Sequence, residues 1–492
     1  MKETKKNKAF RVFVITFLIF ILIPFCFKDR FKLQEGQISY LSYNDLEKLT
    51  KQFTANTPLY FKLQKQLNTP YIVNKPFSTS NLIFRNPHYL RIADWNIQRG
   101  FNINAIKNIL SNKYGYYYNY KNNLSADLQN NLKKELEDLS KSDIISLNEV
   151  DVGMPRTGYK NIASEIAHAL NYNYAFATEF IELSPIVYKQ KINPFRYLGL
   201  HGNAIISRYP IKSARILRLP EYYKWFDEEI QKKAPLEHVR RLGAKEVFSE
   251  DIIKSEVRRG GRNALIADIE LPSKEIITVV STHLEDRCFP DKRFNQFEYL
   301  LSNLRSLKSS VILTGDFNTT STDSAPTSFK KEFIKRIRDP NYIARQIVLT
   351  AVPGLPIVNN LVSFGLSKLV QYKDPTAPSI PVFLPNQERK LFTYLKEFRF
   401  TDGEGFDISG DRSSNGKGGL LASSNERQLK GFVSTFKFPE PRVIAYFKLD
   451  WFFIKPRGNR SKPFKGQTLQ LINHAYPGRV SDHEPIIVDL KL

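Results

Sequence analysis

Cysteine is almost missing from this chain. Cys26 and Cys288 are the only two in 492 residues, and the first lies inside a hydrophobic stretch. No disulfide framework can staple such a fold, so its stability has to come from packing. Acidic side chains are also scarce beside basic ones, with 49 Asp and Glu against 73 Lys and Arg. The resulting +24 attracts polyanions to the surface, but it serves solubility equally well and names no partner by itself. No internal repeat is present. What the chain does have is 42% hydrophobic residues, enough at this length for one large core or two medium ones.

One apolar run stands at the N-terminus. Lys2, Lys5, Lys6, Lys8 and Arg11 precede Val12 to Phe27, which is broken by Thr16 and Pro24. This pattern predicts an export signal or signal anchor over residues 1–30. The run is shorter than the roughly 20 residues of a membrane helix, although flanking residues can snorkel to extend it. Pro24, Phe25, Cys26, Phe27 and Lys28 offer no small-x-small cleavage site, which favours an uncleaved anchor. Phe25 stands where acylation of Cys26 needs a small residue, so a lipoprotein reading is disfavoured. Basic residues before the run keep the N-terminus cytoplasmic and put the rest across the membrane, an extracytoplasmic location.

Residues 31–86 are polar and read as a stalk that leads into a folded domain over 87–492. From Leu90 onward strand-like runs recur: LRIADWN, DIISLNEV, GNAIISRYPI, NALIADIEL, EIITVVSTHL, SVILTGDFN, LDWFFIKP and PIIVDLKL, with Ile486, Val488, Leu490 and Leu492 alternating in the last. Helical stripes lie between them at Leu124, Leu128, Leu132, Leu136 and Leu139, at Ile162, Ile166 and Leu170, and at Phe294, Phe297, Leu301 and Leu304. Strands outnumber helices and several follow one another directly. A four-layer α/β sandwich, two packed mixed or antiparallel sheets flanked by helices, therefore fits better than a doubly wound sheet. The stretch of about 319–448 reads as an insertion. It holds an apolar segment containing Pro353 and Pro356, for which core packing is expected, and a Gly/Ser/Asn-rich run expected to form a loop rather than a calcium site.

The strands end in polar groups. Asn96, Glu149, His283, Asp316, Asn318, Asp450, Asp482 and His483 each follow or adjoin a β-branched or leucine-rich run. Hydrolysis of a phosphoester at a metal centre needs carboxylates for a hard cation, a group to orient water, and donors for developing negative charge. Singly, each of these residues is a common turn former. Asp316 and Asn318 stand two apart, so extended backbone turns both to one side.

WNIQRG, LNEVD, HGNAIISRYPI, STHL, TGDFN, KLDWFF and SDHEPI occur in an order that resembles the endonuclease/exonuclease/phosphatase superfamily, from about Leu90 to the C-terminus outside the insertion. The resemblance implies a Mg²⁺ or Mn²⁺ site at Glu149, Asn96 and Asp482. It makes Asp316 the residue that orients or deprotonates water and Asn318 a phosphate ligand. His483 becomes the motif histidine, held by Asp450, and His283 a donor to a phosphate oxygen or leaving group. Asn203 takes a phosphate-contacting position. Arg258, Arg259 and Arg262 are candidates for further phosphate contacts, against the plainer reading of a solvated basic loop. His88, His168, His238 and His474 fall outside the motifs, and His168 is expected to pack on its helix. The segment between Asn96 and Glu149, with KYGYYYNYKNN, is longer than the family pattern.

Substrates implied by the resemblance range over nucleic acid, phospholipid head groups and polyphosphates, and the anchor tilts the reading towards a lipid or an extracytoplasmic phosphodiester. The membrane is the other partner, through the N-terminal segment, and no protein partner is inferred. A catalytically silent binding module of the same fold is the rival. It predicts loss of Glu149, Asp316 or His483, and all three are present.

Overall fold

A computed structural model describes residues 40–51, 54–75, 83–112, 124–231, 256–319, 389–407, 435–437, 446–458, 460–475 and 480–492, with short paired strands at 372–373 and 381–382. The N-terminal apolar run, the tyrosine-rich stretch, His238, the apolar segment of the insertion and most of its Gly/Ser run lie outside the described residues. Among the described residues no helix is long and apolar enough to cross a membrane.

Strands follow in chain order as β1 (Tyr71–Val73), β2 (Tyr89–Arg99), β3 (Ile144–Val152), β4 (Asn173–Glu182), β5 (Leu200–Ser207) and β6 (Ile211–Arg218). Then come β7 (Arg258–Gly260), β8 (Asn263–Glu270), β9 (Ile276–His283), β10 (Ser310–Asp316), β11 (Tyr372–Lys373), β12 (Pro381–Val382), β13 (Phe436–Lys437) and β14 (Tyr446–Phe447). The last are β15 (Asp450–Lys455), β16 (Pro463–Thr468) and β17 (Ile486–Lys491). One sheet runs β1-β4-β5-β3-β2-β17-β16 with β7 attached to β4, and the second runs β15-β10-β9-β8-β6. Each is mixed: β2 and β3 are parallel in the first, β9 and β10 in the second, and the other pairs in both are antiparallel. The sheets pack face to face, and a Ser146–Ser281 hydroxyl bond of 2.8 Å crosses the interface. The expected α/β sandwich is the observed fold.

Helices cover the outer faces. In chain order they are α1 (Tyr43–Leu49), α2 (Pro58–Asn68), α3 (Ile103–Leu110), α4 (Ala126–Ser140), α5 (Ile162–Leu170), α6 (Ser184–Val187), α7 (Trp225–Gln231), α8 (Pro290–Leu304) and α9 (Arg389–Glu397). α5 starts where the Asn161 side chain accepts from the Ser164 N–H at 3.0 Å, and it stops at Asn171 in the left-handed conformation. Its Ile162 and Ile166 are buried against the first sheet, while His168 faces solvent, contrary to the packed position expected of it. α4 buries Leu132, Leu136 and Leu139 but leaves Leu128 exposed, so its stripe is shorter than the leucine spacing suggested. α8 buries Phe294, Phe297, Leu301 and Leu304, with the Phe297 ring 5.7 Å from Phe317 and 6.3 Å from Phe453.

Two stretches differ from the reading by composition. Within 31–86, α1 and α2 precede β1, which pairs antiparallel with β4, so residues 40–51 and 54–75 belong to the folded domain rather than to a stalk. Asn74 fixes this join by donating to the Ile211 carbonyl at 2.8 Å and accepting from its N–H at 3.0 Å. Within the insertion, α9 and the chain after it bury Leu391, Phe392, Leu395, Phe398 and Phe400 in the main core, and Phe392 lies 4.6 Å from Trp451. The last strand buries both its faces: Asp489, on the side opposite Ile486 and Val488, pairs with buried Arg91 at 2.6 Å.

Candidate active site

The C-terminal ends of β2 and β3 in one sheet and of β9 and β10 in the other come out at the same edge of the sandwich, where they surround a cavity of about 280 Å³. β10 reaches this edge because Gly315 (φ +139°) has no Cβ; one there would sit 1.8 Å from the Thr282 carbonyl oxygen. Directly after it, Asp316 stands beside His283 on the parallel neighbour and opposite Asp450 on the antiparallel one. Across the interface, Asn96 donates to Asp316 Oδ2 at 3.0 Å and to Glu149 Oε1 at 3.3 Å, tying the two sheets together at the site.

Four non-glycine residues lining this cavity adopt the left-handed region: Gln98 (φ +46°), Arg99 (φ +64°), Glu149 (φ +54°) and Asn318 (φ +47°). Each such residue costs on the order of 1 kcal/mol and persists where the surroundings impose it. At Glu149 the ladder to β5 shifts register between Leu147 and Val150, which redirects the carboxylate out of the strand alternation.

The charges fall into two groups. His483 Nδ1 lies 2.8 Å from Asp450 Oδ2, and its Nε2 is 3.7 Å from Asp316 Oδ2. Burial disfavours a charged ring there, but Asp450 and then Asp316 outweigh it and lift the His483 pKa to about 10. Burial, with Asp450 adding repulsion, pushes Asp316 up to about 7 although His483 pulls it down. His283 Nε2 is 3.5 Å from Asp316 Oδ2. Burial, then Arg262 and the other histidines, hold His283 well below its usual range, so this ring is neutral. The second group is Glu149 and Asp482, both partly open to the cavity.

Both sets bear on metal binding. Oxygen atoms of Asp316 and Asp450 and a His483 nitrogen lie within 4.8 Å of one another. Their close Asp–His hydrogen bond and charged ring suit proton handling better than a cation. Glu149 and Asp482 offer hard carboxylate oxygens at the cavity mouth, and the strained, outward-turned Glu149 fits Mg²⁺ or Mn²⁺. Asn96 stands between the groups with its N–H on both carboxylates, while its Oδ1 accepts from the Gln98 N–H at 3.1 Å.

Seven of the nine residues singled out from the sequence meet here through direct bonds or close approach: Asn96, Glu149, His283, Asp316, Asn318, Asp450 and His483. Asn318 caps Asp316 Oδ1 with its backbone N–H at 2.8 Å and donates its side chain to the Leu284 carbonyl at 3.0 Å. Asp482, the eighth, lines the same cavity. Asn203 does not: it is fully buried beneath, where it accepts from Asn148 at 2.7 Å and donates to Glu179 at 3.1 Å and Asn263 at 3.2 Å. The phosphate contact expected of it is replaced by a supporting role, because both ends of its amide are already engaged. Of the three arginines, Arg258 and Arg262 line the cavity. Arg259 turns away, over the Phe226 ring and onto the Leu49 and Lys51 carbonyls.

Several residues escaped sequence reasoning. Asp94, two before Asn96 on the same strand face, is fully buried. Burial first, then Asp450, pushes its pKa well above the ordinary carboxylate value. Asn148 holds the Asp316 N–H at 2.8 Å. His201 Nδ1 lies 2.9 Å from Asp151, which Arg156 also grips at 2.6 and 3.0 Å. Proximity to LNEVD and to HGNA was the available signal for Asn148, Asp151 and His201.

A family model described as endonuclease/exonuclease/phosphatase family matches residues 95–483. Among solved structures, human nocturnin's catalytic domain is 13% identical, with 82% of this chain and 94% of that one covered and a TM-score of 0.38. A 3′ phosphatase from Neisseria bound to a product DNA hairpin is 12% identical over 82% and 100% of the chains, with a TM-score of 0.39. A mannosyl-6-phosphatase from Bacteroides thetaiotaomicron is 14% identical over 82% and 99%, with a TM-score of 0.35. A comparison with curated proteins gives no match. With the matched span running from Trp95, beside Asn96, to His483 itself, the chain belongs to the endonuclease/exonuclease/phosphatase family, whose members hydrolyse phosphoester bonds.

Proposed function

We propose that the protein is a divalent-metal-dependent phosphoester hydrolase, tethered to a membrane by its N-terminal segment with the catalytic domain on the extracytoplasmic side. The observation that carries the catalytic reading is one cavity lined by Glu149 and Asp482 on one side and by Asp316 and His483 on the other, with Asp450 behind His483 at 2.8 Å. The tether is supported by the cationic flank and apolar run of residues 2–27.

Glu149 and Asp482 would hold Mg²⁺ or Mn²⁺, with Asn96 beside them steadying Glu149 through its side-chain N–H. The bound ion would supply Lewis-acid stabilisation of charge on the phosphoryl oxygens. Asp316 carries a pKa near the working range, so it orients a water and accepts its proton as the water oxygen attacks phosphorus and the ester P–O bond breaks, its electron pair leaving on the alcohol oxygen. Asn96 and Asn318 hold that carboxylate in place from opposite sides. His483, kept charged by Asp450, presents N–H and positive charge to the phosphoryl oxygens as negative charge builds. His283 is a neutral donor on the other side of Asp316.

The test is Mg²⁺-dependent hydrolysis by the full chain of plasmid DNA, RNA, sphingomyelin, phosphoinositides and bis-p-nitrophenyl phosphate. Activity on at least one of these, lost with chelator and in Glu149→Ala and His483→Ala, is expected. A folded, metal-supplied protein that cleaves none of them would overturn the reading in favour of a binding module.

A further inference from the structure

The cavity is chemically lopsided. Phe436 and Leu449 stand on the side of His483, with the Phe436 ring 5.1 Å from the imidazole. Beyond Glu149 the wall is built of guanidiniums. Arg99 Nε lies 4.0 Å from Glu149 Oε2, and its other end bonds Glu256. Arg258 bonds the second oxygen of the same Glu256 at 2.5 Å. The Arg258 guanidinium sits 3.6 Å from the Trp225 ring centre, and Arg287 sits 4.5 Å from that same ring. The order Glu149, Arg99, Glu256, Arg258, Trp225, Arg287 is thus a row that begins at the expected cation position and runs outward, and all six residues line the cavity.

The row is rigid. Trp225 is anchored by its Nε1–H on Glu285 at 3.0 Å, Arg258 is clamped between that indole and Phe180 at 4.3 Å, and Arg287 is held by Glu229. One of its donors also lacks an acceptor. Arg99 and Arg258 divide one carboxylate between them, and the Arg258 Nε–H is buried without an acceptor. Arg262 next door also lines the cavity; its two terminal nitrogens bond Glu179 and Asp286, and its Nε–H, 3.7 Å from Glu285, is likewise buried without an acceptor.

We propose that Arg99, Arg258 and Arg287 form a second anion subsite, so that the preferred substrate is a phosphoester bearing a further phosphate beside the one hydrolysed. The inference rests on the phosphoester-hydrolase reading and specifies its substrate. Planar guanidiniums on aromatic faces are pre-organised to present paired N–H groups to phosphate oxygens, and a wall that excludes water strengthens each contact. The overall charge of +24 draws such anions to the protein from a distance.

The experiment compares kcat/KM of the full chain, with Mg²⁺, for paired probes that differ by one phosphate. One pair is thymidylyl-thymidine with and without a 5′-phosphate, and the other is fructose 1,6-bisphosphate with fructose 6-phosphate. A preference of roughly tenfold or more for the extra phosphate is expected in at least one pair, the worth of one charge-assisted contact. The nucleotide pair alone would indicate a polynucleotide strand, and the sugar pair alone a small bisphosphate. Arg258→Gln and Arg287→Gln should each shrink the ratio by about threefold or more. Arg287 is partly exposed, so its variant keeps the test open if Arg258→Gln does not fold. Ratios near one in both pairs, or a ratio that neither foldable variant moves, would overturn the subsite. Bis-p-nitrophenyl phosphate, which carries no second phosphate, separates the outcomes: hydrolysis abolished by Glu149→Ala beside ratios near one removes the subsite alone. No hydrolysis of any probe removes both readings.

Discussion

Replacing Asp450 by Asn tests the electrostatic core of the site. In the metal-free wild type, His483 holds its proton to about pH 10, against an ordinary 6.5. That difference corresponds to a preference for the charged ring on the order of 5 kcal/mol, supplied first by Asp450 at 2.8 Å and then by Asp316, against burial. Asn keeps the shape and an acceptor oxygen but removes the charge, so the His483 pKa should drop by about 1–3. The assay is ¹⁵N NMR of the histidine rings of chelator-treated protein between pH 5 and 11. The stability consequence has a definite sign. A pKa raised on folding stabilises fully below 6.5, and the contribution fades as pH climbs through about 10. Asp316 opposes it: with its pKa lifted to about 7, it costs stability increasingly from the ordinary carboxylate range up to pH 7. Asp450→Asn should therefore lose stability at neutral pH and lose less above pH 10. With Mg²⁺, its hydrolysis rate at pH 7 should fall about a hundredfold or more. A wild-type ring titrating near 6.5, or an Asp450→Asn variant whose His483 pKa is unmoved, would refute the reasoning.

Glu149→Ala should abolish saturable Mn²⁺ binding measured by electron paramagnetic resonance of the free ion, while the circular dichroism spectrum stays native; binding as tight as wild type would move the cation elsewhere. Arg91→Met should destabilise by about 3–5 kcal/mol in urea unfolding, because it strands the buried Asp489 carboxylate that Arg91 now holds at 2.6 Å. A loss below about 1 kcal/mol would show that water reaches that pair. Gly315→Ala should fail to accumulate as soluble protein or unfold at much lower temperature, since its methyl would overlap the Thr282 carbonyl. A native melting temperature there would mean that β9 and β10 can part without cost.

Much of the catalytic centre could be read along the chain because its groups are placed by strand ends, and strand ends announce themselves. Asp316 and Asn318 follow a run of β-branched residues, and Asp482 and His483 directly precede one. What stayed hidden depends on partners distant in sequence. Arg99 and Glu256 are 157 residues apart, and nothing local to either announces the other. Asn203 is given a phosphate contact by its resemblance to the family motif, yet its amide is buried and engaged by Asn148, Glu179 and Asn263, all distant in sequence. Asp94 occupies a position where alternation predicts an apolar side chain, so its acid is visible only once the opposing Asp450 and Asp316 are in place. The edge strand β1 is three residues long, too short for period-2 patterning to separate it from the polar chain around it.

Asn96 and Glu149 ride on one sheet, as does Asp482 just before β17, while His283, Asp316 and Asp450 ride on the other. The spacing between Glu149 and Asp316, the residues proposed to serve the cation and the water, is therefore set by how closely the sheets approach at this rim, gauged by the Asn96–Asp316, Asn148–Asp316 and Ser146–Ser281 bonds. A core side chain one methylene too large can leave both sheets individually intact and still spread this gap. Turnover then becomes a calliper for sheet spacing, and warming should silence the enzyme before any spectrum reports that it has begun to unfold.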